Sequence, residues 1–234
     1  DLRSLRLRQE DGHYILAAGL PWFVALFGRD SIISAIQTKL LGTELMVGTL
    51  YTLASHQATE VNEFRDAEPG KIPHEIRRGE LSFMEDLPHA AYYGSVDATP
   101  LFLILLWCAY QWTGDIGLLR RFLPAAEAAL AWIDRYGDMD GDGFVEYERR
   151  SRRGLRNQGW KDSGDSISYA SGPLAQGPIA LVEVQGYVYD AKRKMAEVYA
   201  FLGDADRAHR LRMEAEKLKA QFNQAFWMPQ EGFY

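Results

Sequence analysis

The chain has 234 residues, of which 47% are hydrophobic, 12% aromatic and 25% charged. This composition supplies enough apolar surface for a large core and argues against disorder. The 32 acidic and 26 basic side chains give a net charge of −6, so the chain lacks the positive field with which a protein neutralises many phosphates. We therefore expect neither nucleic acid nor an anionic membrane as a partner.

The single cysteine, Cys108, cannot form an internal disulfide. Its apolar neighbours predict that it packs as a small hydrophobic side chain. Because free cysteine is typical of reducing compartments, we expect a cytoplasmic protein. The first residues do not resemble a signal peptide, and no uncharged apolar run reaches the length of about 18 residues that spans a bilayer.

Six segments show the hydrophobic periodicity of helices, and they arrive in pairs. The pairs are predicted over 30–41 with 43–56, 97–113 with 116–136, and 178–202 with 205–226. Pro124 is expected to bend or break the fourth helix. Short connections within each pair imply antiparallel hairpins, and strong strand patterns are absent. The sequence therefore predicts an all-α fold of about three αα-hairpins.

Two long connections, 57–96 and 137–177, separate the pairs. Each has about 40 residues, and loops of this length inside a compact domain are usually functional. No helix of normal length is expected in the first. The third, fourth and fifth helices are apolar on more than one face, which predicts an inner layer covered by an outer one. Part of a helical toroid or a solenoid fits this pattern, with polar loops at one end.

The segment 157–165 supplies groups suited to binding and cleaving sugars. A glycosidic bond is cleaved with one carboxylic acid that protonates the departing oxygen and a second carboxylate on the other face of the sugar. Trp160 could stack on a pyranose ring, while Lys161, Asp162 and Asp165 could contact hydroxyl groups. The alternative is that Asp162 or Asp165 only caps a turn.

Two helix starts carry further candidates. Arg29 and Asp30 could form a fork for sugar hydroxyls, with Trp22 upstream, although Asp30 is also well placed to cap the first helix. Tyr93 and Asp97 precede the third helix, where Asp97 could accept hydrogen bonds from the first-turn N–H groups.

Two other segments have a chemical and a structural interpretation each. His74 and Glu75 could form an acid/base couple, and an exposed, ion-paired loop is the alternative. Residues 138–146 resemble the start of an EF-hand, but Arg149 occupies the position of the bidentate glutamate. A sharp turn that hydrogen-bonds to itself is the favoured interpretation, and a looser cation site is the alternative.

Six motifs in order resemble the amylo-α-1,6-glucosidase (glycogen debranching enzyme) family. They occupy 19–30, 72–75, 92–102, 140–147, 157–162 and 183–187. The resemblance implies an (α/α)6 toroid and hydrolysis, by inversion, of α-1,6-linked glucose in glycogen-like glucans. It makes Asp162 the general acid beside Trp160, Arg29 and Asp30 binders of the terminal glucose, and Asp97 part of the funnel wall. No cofactor or metal is implied.

Three hairpins are half of a six-hairpin toroid, and the general base of the resembling family is a glutamate in its later hairpins. We therefore expect 15–234 to form the amino-terminal half of the toroid, with 1–14 as a linker or the end of a preceding domain. A half toroid leaves an open apolar edge, and we expect the carboxy-terminal half of the toroid to cover it. A non-catalytic helical module that binds carbohydrate or protein is the alternative.

Overall fold

The computed structural model describes residues 2–77 and 88–234, apart from the side chain of His89. Part of the predicted first long loop, 78–87, lies outside the described residues, as does Asp1. No helix of the described part is both long and apolar enough to cross a membrane.

The described residues contain six α-helices in three antiparallel pairs, as predicted. They are α1 (Gly28–Gln37), α2 (Glu44–Ser55), α3 (Ala98–Thr113), α4 (Ile116–Trp132), α5 (Val182–Leu202) and α6 (Ala205–Ala225). Single 3₁₀ turns occur at Leu2–Leu5, Lys39–Leu41, Glu63–Arg65 and Pro88–Ala90. The predicted all-α class is confirmed.

The second and third hairpins turn with the same dipeptide, Gly-Asp. Gly114 and Gly203 end α3 and α5 with φ of +66° and +88°, a left-handed conformation that glycine adopts without strain. The following aspartates cap the next helices: Asp115 Oδ1 accepts from the Gly117 N–H at 2.8 Å, and Asp204 Oδ1 from the Arg207 N–H at 2.9 Å. These turns set the antiparallel packing of both pairs.

Several helix boundaries differ from the sequence prediction, and α1 spans Gly28–Gln37 instead of the predicted 30–41. Pro124 lies inside α4 without breaking it, because its ring is exposed and Phe122 and Ala126 on either side are buried. The helix continues into a π turn, Ile133–Gly137. Helix α5 begins at Val182 rather than 178, because Ile179–Ala180 pairs as a strand.

Three short antiparallel ladders fasten the loops to the helices. Strand β1 (Arg6–Arg8) pairs with β2 (Tyr14–Leu16), β3 (Leu26–Phe27) with β4 (Glu75–Ile76), and β5 (Glu146–Tyr147) with β6 (Ile179–Ala180). The β1–β2 hairpin packs on α1 and α2. The β3–β4 and β5–β6 ladders join residues distant in sequence, which explains why local patterns did not predict them, whereas β1–β2 is a local hairpin.

Helix α3 is the centre of the core. It packs between α1 and α5 in an inner layer, while α2, α4 and α6 cover the outside. Its run from Leu101 to Leu106 is buried at every position, which confirms the predicted helix with more than one apolar face. Cys108 is also buried in this core, as predicted, and burial raises the pKa of its thiol.

The inner helices α1, α3 and α5 all begin at the same end of the bundle. Side chain and backbone contacts join the start of α1 to Asp97 before α3 and to Gly159 in the following loop. Gly159 in turn lies against Leu181 at the start of α5. Because helix amino termini carry partial positive charge, this end favours carboxylates and other anions.

Gly48 permits the close packing of α2 on the β1–β2 hairpin. A Cβ there would lie 2.1 Å from the Tyr14 carbonyl oxygen, whereas a Cβ at Gly186 of α5 would meet nothing within 4 Å. We expect Gly48→Ala to lower the free energy of unfolding by about 1–3 kcal/mol despite the helix propensity of alanine. Gly186→Ala, the matched control, should leave it unchanged or raise it by up to about 1 kcal/mol. Urea unfolding compares the two, and equal effects would contradict the packing argument.

Candidate active site

Arg29 is the centre of a polar cluster at the common end of the inner helices. Its Nη1 donates to Asp97 Oδ2 at 2.9 Å and to the Gly159 carbonyl oxygen at 2.8 Å. Its Nη2 donates to Asp162 Oδ2 at 3.2 Å. One guanidinium group in the first turn of α1 thus joins the residue before α3 to the loop between the second and third hairpins.

Asp97 is fully buried and does not make the predicted helix cap. Its Oδ2 binds Arg29, and its Oδ1 accepts a hydrogen bond from Ser95 Oγ at 2.6 Å. The Ser95 hydroxyl in turn accepts a hydrogen bond from the Ala98 N–H at 3.3 Å, so Ser95 satisfies a backbone donor at the helix start in place of Asp97. The buried ion pair therefore replaces the cap that the local sequence pattern suggested.

Asp30 does not cap α1 either. The helix begins two residues earlier, at Gly28, and the residue before it, Phe27, makes no side-chain cap. Asp30 is half-buried in the first turn, where a negative charge suits the helix amino terminus. The negative charge of Asp30 helps to raise the pKa of Arg29, whereas the carboxylates that accept hydrogen bonds from Arg29 are those of Asp97 and Asp162.

Burial and charge oppose each other in the titration of Arg29. Burial alone would lower its pKa, but the neighbouring carboxylates, Asp97 first, outweigh that effect and raise it. The buried His74 has a lowered pKa, chiefly because burial disfavours the charged ring. Arg29 is therefore a fixed cation, and His74 is neutral beside it at neutral pH.

Strands β3 and β4 bring His74 and Glu75 to the start of α1. The Gly28 N–H donates to the His74 carbonyl oxygen at 2.8 Å, and the imidazole packs edge-on against Phe27. Both residues are buried, so the alternative of an exposed loop is wrong. The ion pairing expected of that loop is present, because Arg77 Nε donates to Glu75 Oε2 at 2.5 Å.

Trp160 and Asp162 line the accessible side of the cluster. The side chain of Asp162 is 41% exposed, and Trp160 is 59% exposed with the Arg29 Cζ atom 5.4 Å from its ring centroid. Lys161 and Asp165 are exposed on the same turn. An aromatic face, a cation and a carboxylate thus stand together where a ligand can reach them.

Two predicted site residues lie apart from these contacts. Trp22 is 79% exposed on the turn closed by the Gly19–Phe23 bridge. The Tyr93 hydroxyl donates to the His56 carbonyl oxygen at 2.7 Å, and its ring belongs to a small apolar cluster with Ala58 and Ala67. The contacts of Tyr93 are those of a packing residue.

Glu183 and Tyr187 of α5 join the site although the sequence analysis did not select them. Burial raises the pKa of Tyr187, and the negative charges of Asp97 and Glu183 raise it further. A Cβ at Gly159 would lie 3.8 Å from Glu183 Oε1. These two residues stand in the 183–187 motif, so that motif was the available signal.

A second buried carboxylate holds the loop that carries Asp162. Asp66 accepts from the N–H groups of Arg150 and Ser151 at 2.8 Å each, from the Tyr92 hydroxyl at 2.8 Å, and from Gln158 Nε2 at 3.3 Å. Its φ of +50° is unusual for a residue with a side chain. Four donors on one carboxylate fix the backbone just before Gly159.

The acidic turn 138–146 hydrogen-bonds to itself, as the favoured interpretation predicted. Asp138 accepts from the N–H groups of Gly141 and Gly143 at 2.8 and 3.1 Å, and Glu146 Oε2 accepts from that of Met139 at 2.8 Å. Carboxylate oxygens of Asp138, Asp140 and Glu146 lie within 4.8 Å of one another. Burial raises the pKa of Glu146.

Two solved structures share this fold. A rhamnosidase from Klebsiella oxytoca with rhamnose bound matches 94% of this chain and 36% of its own chain, with a TM-score of 0.59 and 16% identity. An α-L-rhamnosidase from Dictyoglumus thermophilum matches 89% of this chain and 20% of its own, with a TM-score of 0.56 and 16% identity. The chain thus spans about a third and a fifth of their lengths. No curated protein matches the sequence.

A family model extends the comparison to sequence. The model described as the bacterial alpha-L-rhamnosidase six-hairpin glycosidase domain matches residues 35–234. The expected six-hairpin glycosidase fold is confirmed, whereas the comparisons point to rhamnosidases and not specifically to glycogen debranching. The chain belongs to the bacterial α-L-rhamnosidase six-hairpin glycosidase domain family.

Proposed function

We propose that the protein hydrolyses α-L-rhamnosides by inversion and that this chain forms the amino-terminal half of its toroid. The observation that carries the proposal is the half-exposed Asp162 carboxylate, held 3.2 Å from the buried Arg29 beside the exposed ring of Trp160. Membership of a rhamnosidase domain family and the rhamnose bound in the Klebsiella oxytoca relative support the choice of sugar.

Asp162 is the proposed general acid, which protonates the departing glycosidic oxygen. As general acid Asp162 has to carry a proton to the glycosidic oxygen, so it gives up its contact with Arg29 when a sugar enters. Its contact with Arg29 is the longest of the three that Arg29 makes, and Asp97 and Gly159 continue to hold the guanidinium. Arg29 is then free to donate one N–H to a sugar hydroxyl.

Inversion also requires a carboxylate that activates water, about 6.5–9.5 Å from the acid. Asp97 cannot serve, because it is fully buried and both of its oxygens are occupied. We assign the base to the three further hairpins of the toroid. The chain then supplies the acid, Arg29 and an aromatic wall, and the remaining half supplies the base.

The sugar is bound by aromatic stacking and hydroxyl contacts. L-Rhamnose is a 6-deoxy sugar, and its methyl group and C–H face suit the exposed rings of Trp160 and Trp22. Asp30, Glu183 and Tyr187 offer polar groups at the same end of the bundle. Five further residues remain proposed sugar-binding residues, as expected from the sequence. They are His74, Glu75, Tyr93, Lys161 and Asp165.

The six motifs favour a second candidate, removal of α-1,6-linked glucose from a glucan. Arg29 and Asp30 would then bind the terminal glucose. Hydroxyl recognition by these residues suits either sugar, so substrates must decide between the two. A non-catalytic carbohydrate-binding module is the third possibility, in which the same groups bind without cleaving.

A substrate panel tests the proposal on the full-length protein. We expect hydrolysis of 4-nitrophenyl α-L-rhamnoside and none of the branched trisaccharide panose, with the β-anomer of rhamnose appearing first by NMR. Release of glucose from panose alone would favour the glucan activity. Binding of either compound without cleavage would favour the non-catalytic module.

Replacement of Asp162 tests the role of general acid. We expect Asp162→Asn in the full-length protein to lower kcat by about 10³-fold, because an amide cannot donate the required proton, and to leave ligand binding nearly unchanged. Asp165→Asn is the matched control, since Asp165 is an exposed carboxylate on the same turn. Greater loss of activity in the Asp165 variant would transfer the role to Asp165.

Replacement of Arg29 tests the central ion pair. A lysine cannot reach Asp97, Gly159 and Asp162 together, so Arg29→Lys should lower kcat/KM by about 10²-fold and the free energy of unfolding by about 3 kcal/mol. Arg193→Lys is the control, because Arg193 makes an exposed pair with Glu216 and the change should cost under about 0.5 kcal/mol. Urea unfolding and kinetics measure both, and equal stability losses would contradict the central role of Arg29.

A further inference from the structure

We propose that Arg149 and Arg156 form a subsite for an anionic sugar next to the candidate active site. The proposal rests on the proposed function and narrows its substrate class. The sugar beside the cleaved residue would carry a carboxylate, as in a uronic acid, or a sulfate ester.

The charge of this segment stands out from the rest of the chain. Five of the eight residues from 149 to 156 are arginine, although the whole chain has a net charge of −6. The five are Arg149, Arg150, Arg152, Arg153 and Arg156, and all are exposed. The mechanism proposed above uses none of them, so their concentration beside the catalytic loop requires another explanation.

Two of the arginines line a cavity of about 280 Å³. Arg149 and Arg156 stand on its wall together with Asn157 and Gln176, and Glu148 is the one acidic residue among the lining groups. The volume is close to the roughly 300 Å³ at which small-ligand sites begin. Two guanidinium groups outweigh one carboxylate, and the exposed amide of Gln176 suits the hydroxyl groups of a sugar.

Asn157 joins this cavity to the catalytic loop. Its Nδ2 donates to the Ser163 carbonyl oxygen at 2.6 Å and to Ser166 Oγ at 3.0 Å, on either side of the turn that follows Asp162. Its Oδ1 accepts from the Tyr147 hydroxyl at 3.0 Å. Asn157 therefore links the wall of the cavity to the turn that follows the proposed acid.

The charge around Tyr147 agrees with this placement. Burial raises the pKa of Tyr147 to about 12, with Glu183 raising it and Arg156 lowering it. The phenol thus lies within electrostatic reach of both Arg156 in the cavity and Glu183 at the candidate active site. A chain of two sugars could contact both sides.

The arginines are carried by a fixed backbone. Asp66 binds the N–H groups of Arg150 and Ser151, and the Arg150 guanidinium pairs with Glu68 at 3.0 Å. Arg150 therefore has a structural partner and no assigned ligand. One N–H of Arg156 donates to the Ala175 carbonyl oxygen at 3.2 Å. Arg149 has no ion-pair partner among residues 2–77 and 88–234. The remaining donors are available to an anion without reorganising the loop.

Matched disaccharides test the subsite in the full-length protein. The pair is α-L-rhamnosyl-1,4-D-glucuronate and α-L-rhamnosyl-1,4-D-glucose, which differ only at C6 of the leaving sugar, where a carboxylate replaces a neutral hydroxymethyl group. We expect kcat/KM to favour the glucuronate at least about tenfold at low ionic strength, and the preference to fall as salt rises. A 6-sulfate of the glucose disaccharide shows whether carboxylate or sulfate is the better anion.

Arginine variants test whether the cavity causes the preference for the glucuronate disaccharide. Arg149→Gln and Arg156→Gln, singly and together, should lower the ratio of the two kcat/KM values towards one. Arg152→Gln removes the same charge from the same loop outside the cavity and should retain most of the ratio. An equal fall in the Arg152 variant would mean a diffuse charge effect and would overturn the subsite.

Failure of the subsite is distinguishable from failure of the proposed function. Equal kcat/KM values for the two disaccharides overturn the subsite and leave the rhamnosidase proposal intact. If neither is cleaved, calorimetric binding decides the subsite, and the rhamnosidase proposal fails only when 4-nitrophenyl α-L-rhamnoside is not cleaved either. A tenfold binding preference for the glucuronate that the double variant loses supports it, and equal binding overturns it. Inorganic sulfate that binds as tightly as the anionic disaccharide would show a simple anion site and overturn the sugar assignment.

Discussion

The buried charge of Arg29 is the constraint on which the candidate site depends. A guanidinium group removed from water needs partners for its charge and its donors. Asp97, Gly159 and Asp162 pair the charge and bind Nη1 and Nη2 from separate parts of the chain, while the buried Nε–H has no hydrogen-bond partner among the described residues. The starts of α1 and α3 and the loop before α5 must therefore meet at one point, and that point is the mouth of the bundle.

Close backbone packing makes the meeting possible. A Cβ at Gly28 would lie 2.1 Å from the Pro73 carbonyl oxygen, so glycine is needed where α1 begins against the 72–76 segment. The described parts of the long loops are held for a related reason, since buried backbone groups must find partners. Asp66 supplies acceptors for the second loop, and the β5–β6 ladder holds its ends together. Order in these loops thus comes from contacts between loops.

Local sequence patterns predicted the helices well and their polar contacts poorly. Periodicity located all three hairpins, and the Gly-Asp turns at 114–115 and 203–204 behave as their chemistry requires. The predicted caps failed at Asp30 and Asp97, because capping is a local pattern while the partner of Asp97 lies 68 residues away. The start of α5 was misplaced for the same reason, since Ile179 pairs with Tyr147. Glu183 and Tyr187 were missed because only the fold brings them to Asp97.

The choice of sugar depends on groups outside the cluster around Arg29. Arg29 and Asp162 offer a cation and a carboxylate, and the hydroxyl groups that suit them are present in rhamnosides and glucosides alike. Discrimination between sugars has to come from groups that contact what differs between them, and under the proposed function the exposed ring of Trp160 would meet the methyl group of rhamnose. These groups stand on loops, where side chains can change without disturbing the buried ion pair. A shared cluster on a shared toroid is therefore compatible with the glucan-like motifs and the rhamnosidase-like domain match in one chain.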